Sequence, residues 1–74
     1  MQTTLPTKSK TVREIQHLEA GRRIRALREK AGMSVRRLAK EMNFTAPYLS
    51  DLELGRRNWD ESKYKRALEI LAAI

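Results

Sequence analysis

Residues 34 to 55, SVRRLAKEMNFTAPYLSDLELG, decide the fold of this chain. Ser34 and Thr45 each precede a run of helix-forming residues, and a hydroxyl there can accept a hydrogen bond from an orphan backbone N–H. Asn43 stands between the two runs, where a helix ends in a left-handed backbone that Asn tolerates better than most residues. Gly55 supplies the same ending for the second run. The stretch therefore predicts two short helices joined by a tight turn.

The apolar spacing predicts how these two helices pack. Leu38 and Met42 are four apart, so they share one face of the first helix. Leu49 and Leu52 are three apart and direct the second helix back onto the first. Ala39 is small enough to let a second helix cross closely. Two helices at this spacing form a helix-turn-helix unit, whose second helix enters the major groove of DNA.

The chain before this unit predicts an arm and a helix. Residues 1 to 10 are polar, with one Pro and two Lys, and predict a flexible basic arm. Thr11 and Glu14 form a T-x-x-E capping box, which predicts a helix from Thr11 to about Ala31, either continuous or with residues 11 to 20 as a separate short helix. Gly21 lies inside it and costs roughly 1 kcal/mol relative to Ala.

After the unit, Asp60 can cap a last helix that carries apolar residues at helical spacing up to Ile74. No strand pattern and no internal repeat is visible in the sequence. The sequence therefore predicts one all-α domain over residues 11–74, a compact bundle of four to five short helices.

Composition limits the kinds of partner. The chain has 74 residues, a formal net charge of +7 and no Cys. The absence of Cys excludes disulfides and thiolate metal sites and fits a reducing cytoplasm. No apolar run is long enough to span a membrane, and no secretory signal pattern is present. A small, strongly basic domain favours a polyanionic partner.

The placement of the charges is more specific than their number. No Lys or Arg occurs between Thr45 and Leu54, whereas basic residues precede and follow this segment. Phosphates run beside the major groove and base edges lie within it, so cations should flank a helix that contacts bases. This distribution favours DNA over a uniformly basic membrane-binding face.

From Gly21 to about Leu71, about two thirds of the chain, the sequence resembles a lambda-repressor-like, Cro-type (XRE family) DNA-binding domain. The matching pattern is Leu38-Ala39, Leu49, Leu52-Glu53 and Gly55-Arg56-Arg57. The sequence departs from the family at three points: Asn43 replaces the usual turn Gly, Trp59 stands where Pro is common, and Ala46-Pro47 replace a polar pair that often contacts bases.

The resemblance implies roles for individual residues. It implies an ion pair between Arg28 and Glu53 that links the first and third helices. The expected base-contacting residues are Ala46, Pro47, Ser50 and Asp51. Tyr48, on the same helix, is also expected among them through a thymine methyl group, or else to donate to a phosphate. The expected phosphate-binding residues are Ser34, Arg36, Arg37, Thr45, Arg56, Arg57 and Asn58.

Few of the expected base-contacting residues have side chains that can form hydrogen bonds with bases. Asp51 could accept a hydrogen bond from cytosine N4, and Ser50 could donate or accept. Ala46 and Pro47 offer only apolar contact, for instance to a thymine methyl group. With so few strong base contacts, we expect specificity to depend partly on DNA shape.

Two other residues have competing interpretations. Trp59 could stack on DNA or anchor an interface, but packing of its loop against the last helix is favoured. His17 has no second His or Cys nearby, which argues against a metal or catalytic role and favours a surface position. No catalytic arrangement of residues and no cofactor motif is visible, so no enzyme is predicted.

The function predicted from these observations is sequence-specific binding of double-stranded DNA by a small transcriptional regulator. The simplest version is a homodimeric repressor at a pseudo-palindromic operator, with Ile70 and Ile74 near the dimer contact. The alternative is an antitoxin-like module that binds a protein partner and also binds DNA. A third possibility is an architectural protein that bends DNA. An ordinary αα-hairpin without DNA binding is the structural alternative.

Overall fold

The computed structural model describes the backbone of residues 4–74 and the side chains from Gln16 onward. Within this part of the chain the structure is all-α, as predicted, with no strand. The four helices are α1 (Thr4–Lys30), α2 (Val35–Glu41), α3 (Ala46–Glu53) and α4 (Glu61–Ala72). None of the helices in the described residues is both long and apolar enough to cross a membrane.

The start of α1 differs from the prediction. The helix begins at Thr4 rather than Thr11 and continues without a break to Lys30, so residues 11–20 belong to it. Pro6 lies in its first turn, where the missing N–H has no intrahelical partner to lose. Nothing therefore stops the helix before Thr11, and the capping box falls inside it. Residues 1–3 of the predicted arm lie outside the described residues, and residues 4–10 are helical.

The first three helices end in the same way. In each, the residue after the C-cap has a positive φ: Gly32 (70°), Asn43 (62°) and Gly55 (78°). After α2, the Asn43 N–H donates to the Lys40 carbonyl and the Phe44 N–H donates to the Ala39 carbonyl, at 3.1 and 2.7 Å. This pair of bonds is the Schellman motif, which satisfies orphan carbonyls and turns the chain sharply. Asn43 thus performs the role of a turn glycine, as predicted.

The predicted caps begin the last three helices. The side chains of Ser34, Thr45 and Asp60 accept hydrogen bonds from the backbone N–H of Arg37, Tyr48 and Lys63, at 3.0, 3.3 and 2.7 Å. The backbone hydrogen bond from Lys63 lowers the pKa of Asp60. Each cap fixes the point at which its helix leaves the preceding loop.

The core lies between α1, the α2–α3 pair and α4. Ile24, Leu38, Leu49 and Leu52 are fully buried at its centre. Around them lie the other buried apolar residues: Met33, Ala39, Met42, Trp59, Ala67 and Leu71. α3 packs against both α1 and α2, so its inner face is fully used and its outer face is left for other contacts.

Gly21 is a point of close approach between α1 and the end of α3. A Cβ atom built on Gly21 would lie 2.4 Å from the Leu52 carbonyl oxygen and 2.5 Å from that of Glu53. Both oxygens belong to the backbone, so no rotation of a side chain could make room. The glycine that sequence analysis treated only as a cost to helix stability is therefore the residue that lets α3 dock on α1.

Candidate nucleic-acid interface

α3 presents one stripe of residues away from the core. Its inner face buries Leu49, Leu52 and Glu53. Pro47 and Leu54 are exposed, and Ala46, Ser50 and Asp51 are half-buried. Positions 47, 50, 51 and 54 follow the helical i, i+3, i+4, i+7 spacing, so they share one outward face. Four of the five predicted base-contacting residues lie on or beside this face: Ala46, Pro47, Ser50 and Asp51.

Tyr48, the fifth predicted base-contacting residue, has a different environment. It is half-buried, and its ring meets that of Phe44 edge-on with centroids 4.9 Å apart. Its hydroxyl accepts a hydrogen bond from Lys63 Nζ of α4 at 2.8 Å. This hydrogen bond raises the pKa of Lys63. Lys63 carries no local sequence signal for this role, because no local pattern marks a contact between residues so far apart in the chain.

Asp51 is half-buried and lies beside two arginines. Its carboxylate lies 3.8 Å from the guanidinium groups of both Arg56 and Arg57, and one third of the side chain is exposed. The Arg56 N–H also donates to the Asp51 carbonyl at 2.8 Å, so the turn after α3 brings the two arginines back beside the helix. Such long, solvent-screened ion pairs are worth little, and the arginines remain free to exchange Asp51 for another anion.

The predicted phosphate-binding residues occupy two exposed regions. Arg36 and Arg37 are exposed on α2, and Arg56, Arg57 and Asn58 are exposed in the loop after α3. Ser34 and Thr45 are exposed caps whose oxygens already accept backbone N–H groups. Each of these hydroxyls keeps its own hydrogen as a donor, so capping and phosphate binding are compatible. Positive charge therefore lies on both sides of α3 in the chain.

Arg28 and Glu53 are in direct contact, and both are buried. The guanidinium donates to both carboxylate oxygens of Glu53, at 2.8 and 3.1 Å, in a bidentate pair. It also donates to the Met33 carbonyl at 2.8 Å. The hydrogen bond with Glu53 is the main reason why the pKa of Arg28 is raised. One guanidinium thus connects α1, the loop before α2 and the end of α3.

Two further contacts hold the loop between α3 and α4. Trp59 is buried, its ring meets Tyr64 of α4 edge-on at 5.8 Å, and its indole N–H donates to the Leu52 carbonyl at 3.1 Å. This confirms the predicted packing of the loop against the last helix. The Trp59 backbone N–H donates to His17 Nδ1 at 3.1 Å. The predicted surface position of His17 is therefore wrong: it is half-buried, because the loop at Trp59 packs against this part of α1.

Comparison with known proteins identifies the domain. A family model described as "Helix-turn-helix domain" matches residues 19–73, whereas no curated protein and no solved structure matches the chain. The matched range covers the end of α1, α2, the turn at Asn43, α3 and α4. In helix-turn-helix domains the second helix of the unit, here α3, enters the DNA major groove, which indicates DNA binding. The chain belongs to the helix-turn-helix domain family.

Proposed function

We propose that this helix-turn-helix domain is a sequence-specific transcriptional regulator of the lambda-repressor-like type, and that it represses by occupying an operator. The observation that carries the proposal is the outward face of α3. It bears no Lys or Arg, and exposed arginines lie on α2 and in the following loop. A helix that enters the major groove between two phosphate backbones has this division of charge.

Base contacts come from the outward face of α3. Asp51 accepts a hydrogen bond from a base donor such as cytosine N4, and Ser50 contacts a neighbouring base edge. Ala46 and Pro47 pack against a thymine methyl group. When the domain docks, Arg56 and Arg57 exchange Asp51 for phosphate, which frees the Asp51 carboxylate for the base.

The chain acts as a two-fold dimer on DNA. An apolar groove of about 650 Å³ lies between the end of α1 and α4, and Ile74 at its edge is 62% exposed. None of its lining residues belongs to α2 or α3, so a second copy docked there leaves α3 of each protomer free to contact DNA. The groove is lined by Leu27, Lys30, Ala31, Leu68, Leu71, Ala72 and Ile74.

The same groove supports the alternative function. If the chain is an antitoxin-like module, its protein partner binds this apolar face and leaves the DNA-binding surface unaffected. The two occupants differ in stoichiometry on DNA: a second copy gives two protomers for each operator, whereas a heterologous partner gives one protomer plus the partner.

The first test is the salt dependence of DNA binding. If a dimer neutralises about 8 phosphates, log K against log salt should have a slope near −7. Arg56→Met should flatten the slope by roughly 0.9 per protomer and weaken binding to all sequences alike. Arg25→Met is the matched control, because Arg25 is an exposed arginine that pairs with Glu29 on α1. A slope near zero for the wild-type protein would refute DNA binding.

The second test is selection of bound sequences from random DNA. We expect a pseudo-palindrome whose half-site centres are about 34 Å apart. Asp51→Ala should leave Tm nearly unchanged, since its ion pairs are weak. It should relax the preference at one base pair of each half-site by about 1 to 3 kcal/mol. If Asp51→Ala selects the same sites with the same stringency, Asp51 does not contact a base.

A further inference from the structure

Tyr48 of α3 contacts residues from α4 and from the loop between the two helices. It lies in the first turn of α3 and accepts the hydrogen bond from Lys63, which lies in the first turn of α4. Arg57, from the loop between these helices, has its guanidinium carbon 5.5 Å from the centroid of the Tyr48 ring, and Lys63 Nζ lies at 5.4 Å. Two cations from outside α3 are thus held on one side chain of α3.

Lys63 is held in position, and one of its N–H donors remains available to a ligand. Its ammonium contacts the Tyr48 hydroxyl at 2.8 Å and the Asp60 carboxylate at 3.4 Å. An ammonium has three N–H donors, so these two acceptors leave one, and the Tyr48 hydroxyl keeps its own hydrogen as a donor. The side chain of Lys63 is 35% exposed, which gives a ligand access to it. The hydrogen bond with Tyr48 raises the pKa of Lys63, so this contact favours the charged ammonium.

We propose that Lys63 binds a backbone phosphate of DNA beside the first turn of α3, with the Tyr48 hydroxyl positioning its ammonium. The proposal rests on the proposed DNA-binding function and adds a phosphate contact from α4. It also gives Tyr48 a role other than base contact. Because α3 has no Lys or Arg of its own, any cation at its first turn must come from a neighbouring element.

The electrostatics of the cluster favour an anionic ligand. Two positive charges meet at Tyr48, that of Lys63 at the hydroxyl and that of Arg57 at the ring, and their carboxylate partners Asp60 and Asp51 are partly exposed and lie at 3.4 and 3.8 Å. A phosphate placed beside the hydroxyl would accept the remaining donor of Lys63. The first turn of α3 adds the positive end of its helix dipole to the same region. Phe44, packed edge-on against Tyr48, keeps the ring from turning away.

The test uses the full chain and one selected operator. Lys63→Met keeps most of the apolar stem and removes the charge. It should flatten the salt slope by roughly 0.9 per protomer and weaken all DNA sequences alike. Tyr48→Phe removes only the hydroxyl and should weaken binding without changing base preference. The double variant should bind no worse than Lys63→Met alone, because the hydroxyl acts through the lysine. Lys65→Met, at an exposed lysine two residues further along α4, is the control and should change the slope far less.

Three results would overturn the inference. If Lys63→Met lowers Tm but leaves the salt slope of the wild type, the lysine only ties α4 to α3. If Tyr48→Phe relaxes the preference at one base pair, Tyr48 contacts a base. If the two substitutions weaken binding additively, Tyr48 does not act through Lys63. Failure of the proposed function is distinguishable from these results, because the wild-type protein would then show no salt-dependent binding at all.

Discussion

Glu53→Ala should lower the free energy of unfolding by about 3 to 5 kcal/mol, the cost of removing one partner of a buried ion pair. The Glu53 side chain is 4% exposed and that of Arg28 is 9% exposed. Without Glu53, the guanidinium keeps one hydrogen bond, to the Met33 carbonyl, and remains a buried cation with two unsatisfied donor groups. Chemical denaturation followed by circular dichroism measures the loss.

Two variants separate the buried pair from surface charge effects. Glu29→Ala removes the partner of Arg25, whose side chain is 53% exposed, and should change stability by less than about 1 kcal/mol. Replacing both buried partners, as Arg28→Met with Glu53→Leu, should recover much of the loss because no charge is left buried. A destabilisation by Glu53→Ala no larger than that by Glu29→Ala would show that Arg28 finds water when its partner is removed.

DNA binding should fall together with stability in Glu53→Ala. Glu53 is the last residue of α3, and its pairing with Arg28 fixes the angle at which α3 leaves the core. The operator affinity of the folded fraction should therefore drop as well, with the salt slope unchanged because no phosphate contact is removed. This pattern differs from that of Arg56→Met, in which the slope changes.

Local signals predicted most of the fold. Ser34, Thr45 and Asp60 were identifiable as caps because a cap depends on a hydroxyl or carboxylate and on the backbone three residues away. Asn43 was identifiable because few residues other than Gly adopt a positive φ. The segment without Lys or Arg from Thr45 to Leu54 was likewise visible in the sequence, and it forms α3 together with its two cap residues.

Contacts between distant residues were not predictable in the same way. The role of Gly21 depends on the carbonyl oxygens of Leu52 and Glu53, which lie more than thirty positions away. His17 meets Trp59 only because the loop after α3 folds back onto α1, and no local signal in the sequence gives that contact. The Arg28–Glu53 pair is a long-range contact that was expected, and it was expected from the family resemblance rather than from spacing.

The N-terminal half of α1 shows why the family pattern alone was insufficient. The family model begins at residue 19, and the contacts of His17 and Leu18 lie just before it. A Cβ on Gly55 would lie 2.9 Å from Leu18 Cδ1 and 3.2 Å from Leu18 Cα. α1 therefore continues beyond the matched range and packs on the loop that carries Arg56 and Arg57, which links this part of α1 to the proposed phosphate contacts.

Gly21→Ala should destabilise the domain, although Ala is the better helix former. In an exposed helix interior the substitution would gain about 1 kcal/mol. Here the new Cβ meets backbone oxygens at 2.4 and 2.5 Å, so α1 and α3 must move apart. Overpacking of this kind costs about 1 to 3 kcal/mol, and fixed backbone atoms place this site at the upper end. We expect a net loss of about 2 kcal/mol, measured as a fall in Tm and in unfolding free energy.

The decisive observation is whether Gly21→Ala lowers or raises stability. Ala26→Gly measures the contribution of helix propensity alone. Ala26 is exposed in the same helix, so Ala26→Gly should cost about 1 kcal/mol from helix propensity alone. Glycine is then disfavoured at position 26 and favoured at position 21. Arg28 lies two turns after Gly21 on the same face of α1, so moving the helices apart also strains its bond with Glu53. The losses from Gly21→Ala and Glu53→Ala should therefore not add in the double variant. A gain in stability from Gly21→Ala would mean that α3 does not dock against α1 at this distance.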